Sequence, residues 1–207
     1  MIKIFLIFLF IFKLSLLAFG TYYKDKVSQF KTLSKKSDRQ IVMLGDSLTD
    51  RGCWDELTNR DDIANRGIDG DTTHGVLQRL DFLTHNTKQV FIMIGTNDLL
   101  KDKRVNYVFA NYKQIVTSLE KKNIIPIIES TLYVGINTPP KYNQNIRKLN
   151  YLLFKYAVKN KIRFVDLNKH LAPNGFLKPA YTTDRLHLNG KGYTIWAKAI
   201  KKIMLKK

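Results

Sequence analysis

The stretch that decides the fold of this chain reads Ile41-Val-Met-Leu-Gly-Asp-Ser-Leu-Thr-Asp50. Its first four residues form an unbroken apolar run, which predicts a buried strand. Gly45 and Asp46 then allow a sharp turn, and Ser47 follows at the start of a predicted helix. Ligands of open α/β sheets bind beyond the carboxyl ends of the strands, so this position favours Ser47 as a nucleophile. A serine is a weak nucleophile alone, so the rest of the chain must supply a base and an oxyanion site.

Strands and helices alternate along the rest of the chain. Four more apolar runs predict strands at residues 63–65, 90–94, 124–128 and 164–167. Apolar residues at helical spacing predict helices after Ser47, after Asp71 or Thr72, and at residues 105–122, 144–160 and 189–205. The alternation predicts one three-layer α/β domain with a five-stranded parallel sheet. Pro126 lacks a ladder donor, which predicts that its strand lies at an edge or carries a bulge.

The N-terminus differs from the rest of the chain. Residues 1–20 contain two apolar runs separated by Lys13 and end in Ala18-Phe-Gly20, which is typical of a signal peptide cleaved after Gly20. The alternative is an uncleaved membrane anchor, with Lys13 in the middle of the span. Either interpretation predicts an exported domain: periplasmic, secreted or membrane-anchored. Residues 21–39 are polar and rich in Lys and Ser, which predicts a linker with at most one helical turn before a domain at 40–207.

The 207-residue chain is strongly basic, with 35 Lys and Arg against 17 Asp and Glu and a formal net charge of +18. This balance favours anionic surroundings. The cations are mostly scattered, and no RNA-binding aromatic motif or zinc-finger spacing is present, so we expect no specific nucleic-acid partner. We expect a solvated basic surface, with weak attraction to an anionic membrane or cell wall as the next reading. Cys53 is the only cysteine, which excludes an intrachain disulfide, and we expect it to face the core.

Four loops at the carboxyl edge of the predicted sheet carry polar signatures, and acyl transfer accounts for all of them. His187 can act as general base toward Ser47, while Asp184 orients its imidazole. The backbone N–H groups of Ser47 and Gly70 and the side-chain amide of Asn97 are candidate donors to an oxyanion. These loops come from distant parts of the chain, and a parallel sheet would bring them to one edge.

Four sequence blocks resemble, in the family's order, the signature blocks of the SGNH (GDSL-type) hydrolase superfamily: Gly45-Asp-Ser-Leu48, Gly70-Asp-Thr-Thr73, Gly95-Thr-Asn-Asp98 and Asp184-Arg-Leu-His187. Residues 65–73 are especially similar to the branch that contains the platelet-activating-factor acetylhydrolase catalytic subunits. The resemblance implies a flavodoxin-like fold. It also implies that Ser47, Gly70, Asn97 and His187 are the four residues of the family's name, with Asp184 completing a triad. Arg185 departs from the family pattern, because apolar residues are common at its position.

The remaining candidates belong to the surroundings of the site. Asp69, His74 and Arg185 are candidates for the rim of the substrate pocket. Asp46 is interpreted as a turn-former, because aspartate readily bonds its own backbone in turns. No cluster of His, Asp and Glu has metal-ligand spacing, so we expect no metal, and the inferred mechanism needs no cofactor.

Together these observations predict an exported serine esterase that removes a short acyl group, acetyl in the first place, through an acyl-enzyme at Ser47. The ester would be small, free or carried on a glycan or lipid, and reached through an open site, since no large insertion covers the predicted edge. Two alternatives stay open. One is a lysophospholipase or thioesterase for longer acyl chains, and the other is a non-catalytic domain that binds the cell envelope through its basic surface. The sequence carries no signal for an oligomeric state.

Overall fold

The computed structural model describes residues 20–206. Five strands are present: β1 (Ile41–Gly45), β2 (Ile63–Gly67), β3 (Gln89–Met93), β4 (Ile125–Glu129) and β5 (Arg163–Val165). The helices are α1 (20–34), α2 (Ser47–Asp50), α3 (Trp54–Thr58), α4 (Thr73–Leu77), α5 (Thr96–Leu100), α6 (Val105–Glu120), α7 (Pro140–Lys159), α8 (Asn168–Leu171) and α9 (Gly190–Lys201). Short 3₁₀ turns lie at Leu80–Phe82 and Pro179–Tyr181.

The five strands form one parallel sheet in the order β2-β1-β3-β4-β5. This is the strand order of the flavodoxin-like fold. Gly45, the last residue of β1, pairs with Gly67 on one side and Met93 on the other, so the carboxyl ends of these three strands are level. The predicted fold, a three-layer α/β domain with a five-stranded parallel sheet, is confirmed.

The sheet is buried on both faces, as its apolar strands require. Val42 and Leu44 of β1 belong to a core cluster with α4, α6 and α7. Ile41 and Met43 alternate with them and belong to a second cluster with α3, α8 and α9. Two helical layers therefore cover the sheet and leave its carboxyl edge to the connecting loops.

The segment at residues 21–39, which we predicted to be a linker, is mostly helix α1. The prediction weighed polar composition and overlooked Tyr23, Val27 and Phe30, which recur at helical spacing and face the core. Phe30 is only 4% exposed, and its ring lies 5.5 Å from that of Phe82. Residues 1–19 of the predicted leader lie outside the described residues, and Gly20 begins the described part of the helix. Within residues 20–206, none of the helices combines the length and apolarity needed to cross a membrane.

The strand that contains Pro126 does not lie at an edge, since β4 pairs with both β3 and β5. Ile125 donates its N–H to Lys88 on the β3 side. Successive N–H groups of a strand point to opposite neighbours, so the missing N–H of Pro126 faces the β5 side. Pairing with β5 begins only at Ile127, and the proline therefore costs no ladder hydrogen bond.

Cys53 is exposed, so the prediction that it faces the core is wrong. It precedes α3 as the N-cap residue, after a break in helical structure at Arg51–Cys53. This interruption changes which side chains face the core. Trp54, which is 1% exposed, is buried there instead of Cys53. The helix predicted at 144–160 begins earlier, at Pro140, because a proline in the first turn loses no helical hydrogen bond.

Candidate active site

Ser47 is the first residue of α2 and follows the end of β1 after one intervening residue. That residue, Asp46, is the N-cap, and its Oδ1 accepts the backbone N–H of Leu48 at 3.0 Å. We predicted that Asp46 forms a turn by bonding nearby backbone, and this hydrogen bond is of that kind. The strand and the cap together hold the serine at the carboxyl edge of the sheet.

The structure brings Ser47, His187 and Asp184 into one hydrogen-bonded line. His187 Nε2 lies 2.9 Å from Ser47 Oγ, and His187 Nδ1 lies 2.6 Å from Asp184 Oδ2. The histidine can therefore accept the serine proton through one ring nitrogen while the carboxylate holds the other. This is the geometry required of a nucleophile, a base and an orienting group.

Asp184 is held by the chain that carries His187. Its Oδ1 accepts the backbone N–H groups of Leu186 at 3.0 Å and His187 at 2.7 Å. Burial by itself would raise the pKa of Asp184, but the bonds from the His187 ring and these two N–H groups outweigh it and lower the pKa below its usual range. The Asp184 carboxylate is therefore ionised at neutral pH, as stabilisation of an imidazolium requires.

The loop of residues 184–187, which carries Asp184 and His187, is held by a close backbone contact with Gly135. Arg185 adopts φ of 69°, and its carbonyl accepts the N–H of Gly135 at 2.7 Å. A Cβ at position 135 would come within 2.8 Å of the Arg185 Cβ, so a glycine is needed there. Arg185 itself is exposed beside the triad, which suits its predicted place on the rim.

Gly70 and Asn97, the predicted oxyanion donors, lie on adjacent loops. Gly70 has φ of 70°, a conformation that favours glycine, and its N–H has no acceptor among residues 20–206. Asn97 lies in the first turn of α5 and donates from Nδ2 to the carbonyl of Asp71 at 3.0 Å. That amide keeps a second N–H for a substrate. The roles of both residues stay predictions.

A buried hydrogen-bond network joins these two loops. Thr73 donates to both oxygens of Asp98, from its backbone N–H at 2.9 Å and from its hydroxyl at 2.7 Å. Asn111 of α6 in turn donates to the Thr73 hydroxyl at 3.0 Å. Asp98, which follows Asn97, thus binds the loop after Gly70.

Two acidic groups next to the site are buried among the same loops. Burial raises the pKa of Asp46 to about 8, so this side chain is largely neutral at pH 7. Its Oδ2 has no hydrogen-bond partner among the described residues. Asp71 is also buried, which raises its pKa, although the buried Arg79 beside it acts in the opposite direction. Arg79 was not predicted as a site residue, because in the sequence it is one of several polar residues, with Gln78 and Asp81, in a mixed run.

The other predicted rim residues are at least partly exposed. Asp69 forms a salt bridge of 3.3 Å with Arg51, and the two side chains are 43% and 45% exposed. The pair links Asp69, the residue before Gly70, to the C-terminal end of α2, the helix that begins at Ser47. His74 is exposed on α4. Within residues 20–206, no group of three His, Cys, Asp or Glu side chains is arranged to hold a metal.

Comparisons with known proteins agree with this geometry. The sequence profile of the GDSL-like lipase/acylhydrolase family matches residues 43–195. An N-acylneuraminate cytidylyltransferase of Streptococcus agalactiae is 31% identical over 167 residues, which cover 80% of this chain but only 38% of that protein. The isoamyl acetate-hydrolyzing esterase of Saccharomyces cerevisiae is 28% identical, with 88% of this chain and 84% of that enzyme covered. A solved structure from Streptococcus pneumonia, provisionally described as a platelet activating factor, matches with a TM-score of 0.86 at 27% identity and covers 93% of this chain and 97% of that one.

The family profile spans most of the chain and includes all four signature blocks. The resemblance to the SGNH superfamily is confirmed, and the expected class of activity, hydrolysis of carboxylic esters, agrees with the description of the matched family. The chain covers a minor part of the cytidylyltransferase relatives, between 38% and 42% of their length, so their name describes more than this chain contains. The chain belongs to the GDSL-like lipase/acylhydrolase family.

Proposed function

We propose that this protein is an exported serine esterase that hydrolyses short-chain esters, acetyl esters in the first place, through an acyl-enzyme at Ser47. One observation carries the proposal: the hydrogen-bonded line from Ser47 Oγ through His187 to Asp184, with contacts of 2.9 and 2.6 Å. This arrangement supports acyl transfer with Ser47 as nucleophile, His187 as general base and Asp184 as the carboxylate that orients it.

The first half of the reaction forms the acyl-enzyme. His187 Nε2 takes the Ser47 proton as Oγ bonds to the ester carbonyl carbon, and the carbonyl electron pair moves onto oxygen. The N–H groups of Ser47 and Gly70 and the Asn97 amide stabilise that oxyanion. The carbon then expels the alcohol oxygen, which receives its proton from His187.

The second half repeats these roles with water. His187 removes a proton from water as the water oxygen attacks the acyl carbon, and the same donors stabilise the second oxyanion. Its collapse breaks the bond to Ser47 Oγ, which regains a proton from His187, and the acid leaves. Asp184 stays ionised throughout and stabilises the imidazolium formed in each half.

The preference for a short acyl group is supported by a relative, since the yeast enzyme is named for hydrolysis of an acetate ester. The proposed substrate is a small acyl ester, free or carried on a bulky or surface-bound alcohol such as a glycan or lipid.

Export is proposed from residues 1–20 alone, as a cleaved signal or a retained anchor. The formal charge of +18 supports weak attraction to an anionic membrane or cell wall, which added salt would screen. An exported esterase with this charge would be concentrated near esters on the envelope.

Labelling with a fluorophosphonate, followed by peptide mapping, tests the proposal. We expect the label on Ser47, and hydrolysis of p-nitrophenyl acetate to fall by at least about 10⁴-fold in Ser47→Ala. Ser28→Ala, at an exposed serine of α1, is the matched control and should keep full activity. Undiminished turnover by Ser47→Ala would overturn the mechanism. Octanoyl esters that react faster than acetyl esters would favour the long-chain alternative instead.

A further inference from the structure

Arg79 is completely buried near the carboxyl edge of the sheet, and its guanidinium makes three hydrogen bonds there. Nε donates to Asp71 Oδ2 at 2.8 Å. Nη1 donates to the carbonyl of Arg66 at 2.9 Å, and Nη2 donates to the carbonyl of Gly45 at 3.0 Å. One rigid, planar group thus binds three separate segments of the chain.

The acceptors of Arg79 adjoin the reacting groups. Gly45 ends β1 and is separated from Ser47 by one residue, while Asp71 directly follows Gly70. The carbonyl of Asp71 accepts the Asn97 amide at 3.0 Å. Arg79 therefore connects the strand that presents the nucleophile to the turn that holds both further oxyanion donors.

Stability alone does not account for this arrangement. A buried ion pair stabilises a fold weakly, because removing both charges from water offsets much of their attraction. Replacing a buried ion pair by apolar side chains of similar volume is often neutral or even stabilising. What the fork of an arginine adds is fixed geometry toward several acceptors at once. Oxyanion donors need such placement, since an error of about 1 Å can reduce a rate by about 10²-fold.

We propose that Arg79 is a positioning residue of this esterase, which holds Gly70 and Asn97 at the distance from Ser47 that the oxyanion requires. The proposal rests on the function proposed above and assigns that site an additional residue. Arg79 does not touch the substrate. It acts through Asp71 and Gly45, and its removal should misplace the donors while Ser47, His187 and Asp184 remain bonded.

Arg79→Lys tests this role, because lysine keeps the charge but loses the fork. We expect kcat for p-nitrophenyl acetate to fall by about 10- to 100-fold while KM changes by less than about threefold, since only transition-state contacts are lost. The rate of fluorophosphonate labelling at Ser47 should fall to a similar extent, with the final labelled fraction unchanged. A purely structural role would instead lower the labelled fraction and leave the rate of the folded molecules unaltered.

The double variant Arg79→Lys/Asn97→Ala, compared with Asn97→Ala alone, gives a second readout. Arg79→Lys should reduce the rate of Asn97→Ala by less than about threefold, because both changes damage one oxyanion site. Arg60→Lys is the matched control: Arg60 pairs with Asp62 and donates to the carbonyl of Leu205 at 2.9 Å, away from the triad. Its kcat should equal that of the wild type.

If Arg79→Lys does not fold, Asp71→Asn replaces it with the same expected result, because the amide keeps the side chain's shape but has one acceptor oxygen for two donors, the Thr72 N–H and Arg79 Nε. A folded variant at either position with wild-type kcat and labelling rate would overturn the role of Arg79. Failure of the esterase proposal is a different result: the wild type itself would then hydrolyse acetate esters no faster than Ser47→Ala does.

Discussion

His187 Nε2 lies 2.9 Å from Ser47 Oγ although the two residues are 140 positions apart. Ser47 opens α2, and His187 lies two residues before the N-cap of α9. The two helices also bind each other directly, since Tyr193 of α9 donates its hydroxyl to the carbonyl of Leu48 at 2.8 Å. The distance between Ser47 Oγ and His187 Nε2 is therefore set by the packing of α2 against α9.

Asp184→Asn should lower kcat strongly without unfolding the protein. The amide would still accept the backbone N–H groups of Leu186 and His187, but it would no longer hold the imidazole in the productive tautomer or stabilise the imidazolium. We expect a fall in kcat of about 10³- to 10⁴-fold with little change in KM. Steady-state kinetics on p-nitrophenyl acetate measure both.

Asp102→Asn is the control for that change, because Asp102 is an exposed carboxylate that pairs with Lys141 far from the triad in sequence. Its kinetics should match the wild type. A kcat for Asp184→Asn within about tenfold of the wild type would show that His187 needs no orienting carboxylate here.

Asn97→Ala tests the side-chain donor of the oxyanion hole. Removing one such donor typically costs about 10²- to 10³-fold in kcat, and we expect a loss in that range. Asn86→Ala is the matched control, since Asn86 also donates its amide to a carbonyl, that of Ser37 at 3.0 Å, at the opposite end of the molecule's first strand. Equal rates for the two variants would remove Asn97 from the oxyanion site.

The sequence was sufficient to predict the fold because the central strands are continuous apolar runs. Residues 41–44 and 90–94 are buried on both faces, and such runs with intervening amphipathic helices permit few arrangements other than a parallel sheet. The polar signatures of Ser47 and Asn97 follow these strands directly. Asp184 and His187 instead precede α9, whose packing against α2 brings them to Ser47.

What the sequence did not predict depends on tertiary contacts. The burial of Arg79 is set by acceptors on three separate segments, and nothing in the sequence around the turn that carries it indicates them. Helix α1 was missed because lysines and serines surround its narrow apolar stripe, which is informative only when a matching surface is known. The place of Pro126 in an inner strand likewise depends on where β5 begins to pair.

Phe30→Ala should show that α1 is part of the domain. Phe30 is 4% exposed and packs against Phe82, so its truncation should lower the free energy of unfolding by about 3–5 kcal/mol. Phe154→Ala is the control: Phe154 also contacts a phenylalanine edge to face, but it is 48% exposed and should lose far less. Urea unfolding measures both values. A loss for Phe30→Ala as small as the one expected for Phe154→Ala would mean that α1 is dispensable to the fold.

Glu129 should make the protein less stable as the pH rises. Its side chain is completely buried, its Oε1 accepts the Trp196 indole N–H at 2.6 Å, and its Oε2 has no partner among residues 20–206. Burial raises the pKa of Glu129 from 4.5 to about 8, despite the opposing hydrogen bond from Trp196. Between these two pH values the folded protein keeps a proton that the unfolded chain releases, so stability is lost as the pH rises through that window.

Glu129→Gln removes this dependence, because glutamine still accepts the Trp196 N–H but cannot ionise. We expect the free energy of unfolding of the variant to exceed that of the wild type by a margin that grows from pH 5 to pH 8, up to about 4–5 kcal/mol. Asp46, whose pKa is also about 8, is unchanged in the variant and leaves both proteins with a shared residual slope. Urea unfolding at pH 5, 6.5 and 8 measures the margin, with the exposed Glu120→Gln as the control that should follow the wild type. A margin that stays constant over this range would show that Glu129 does not bind a proton on folding.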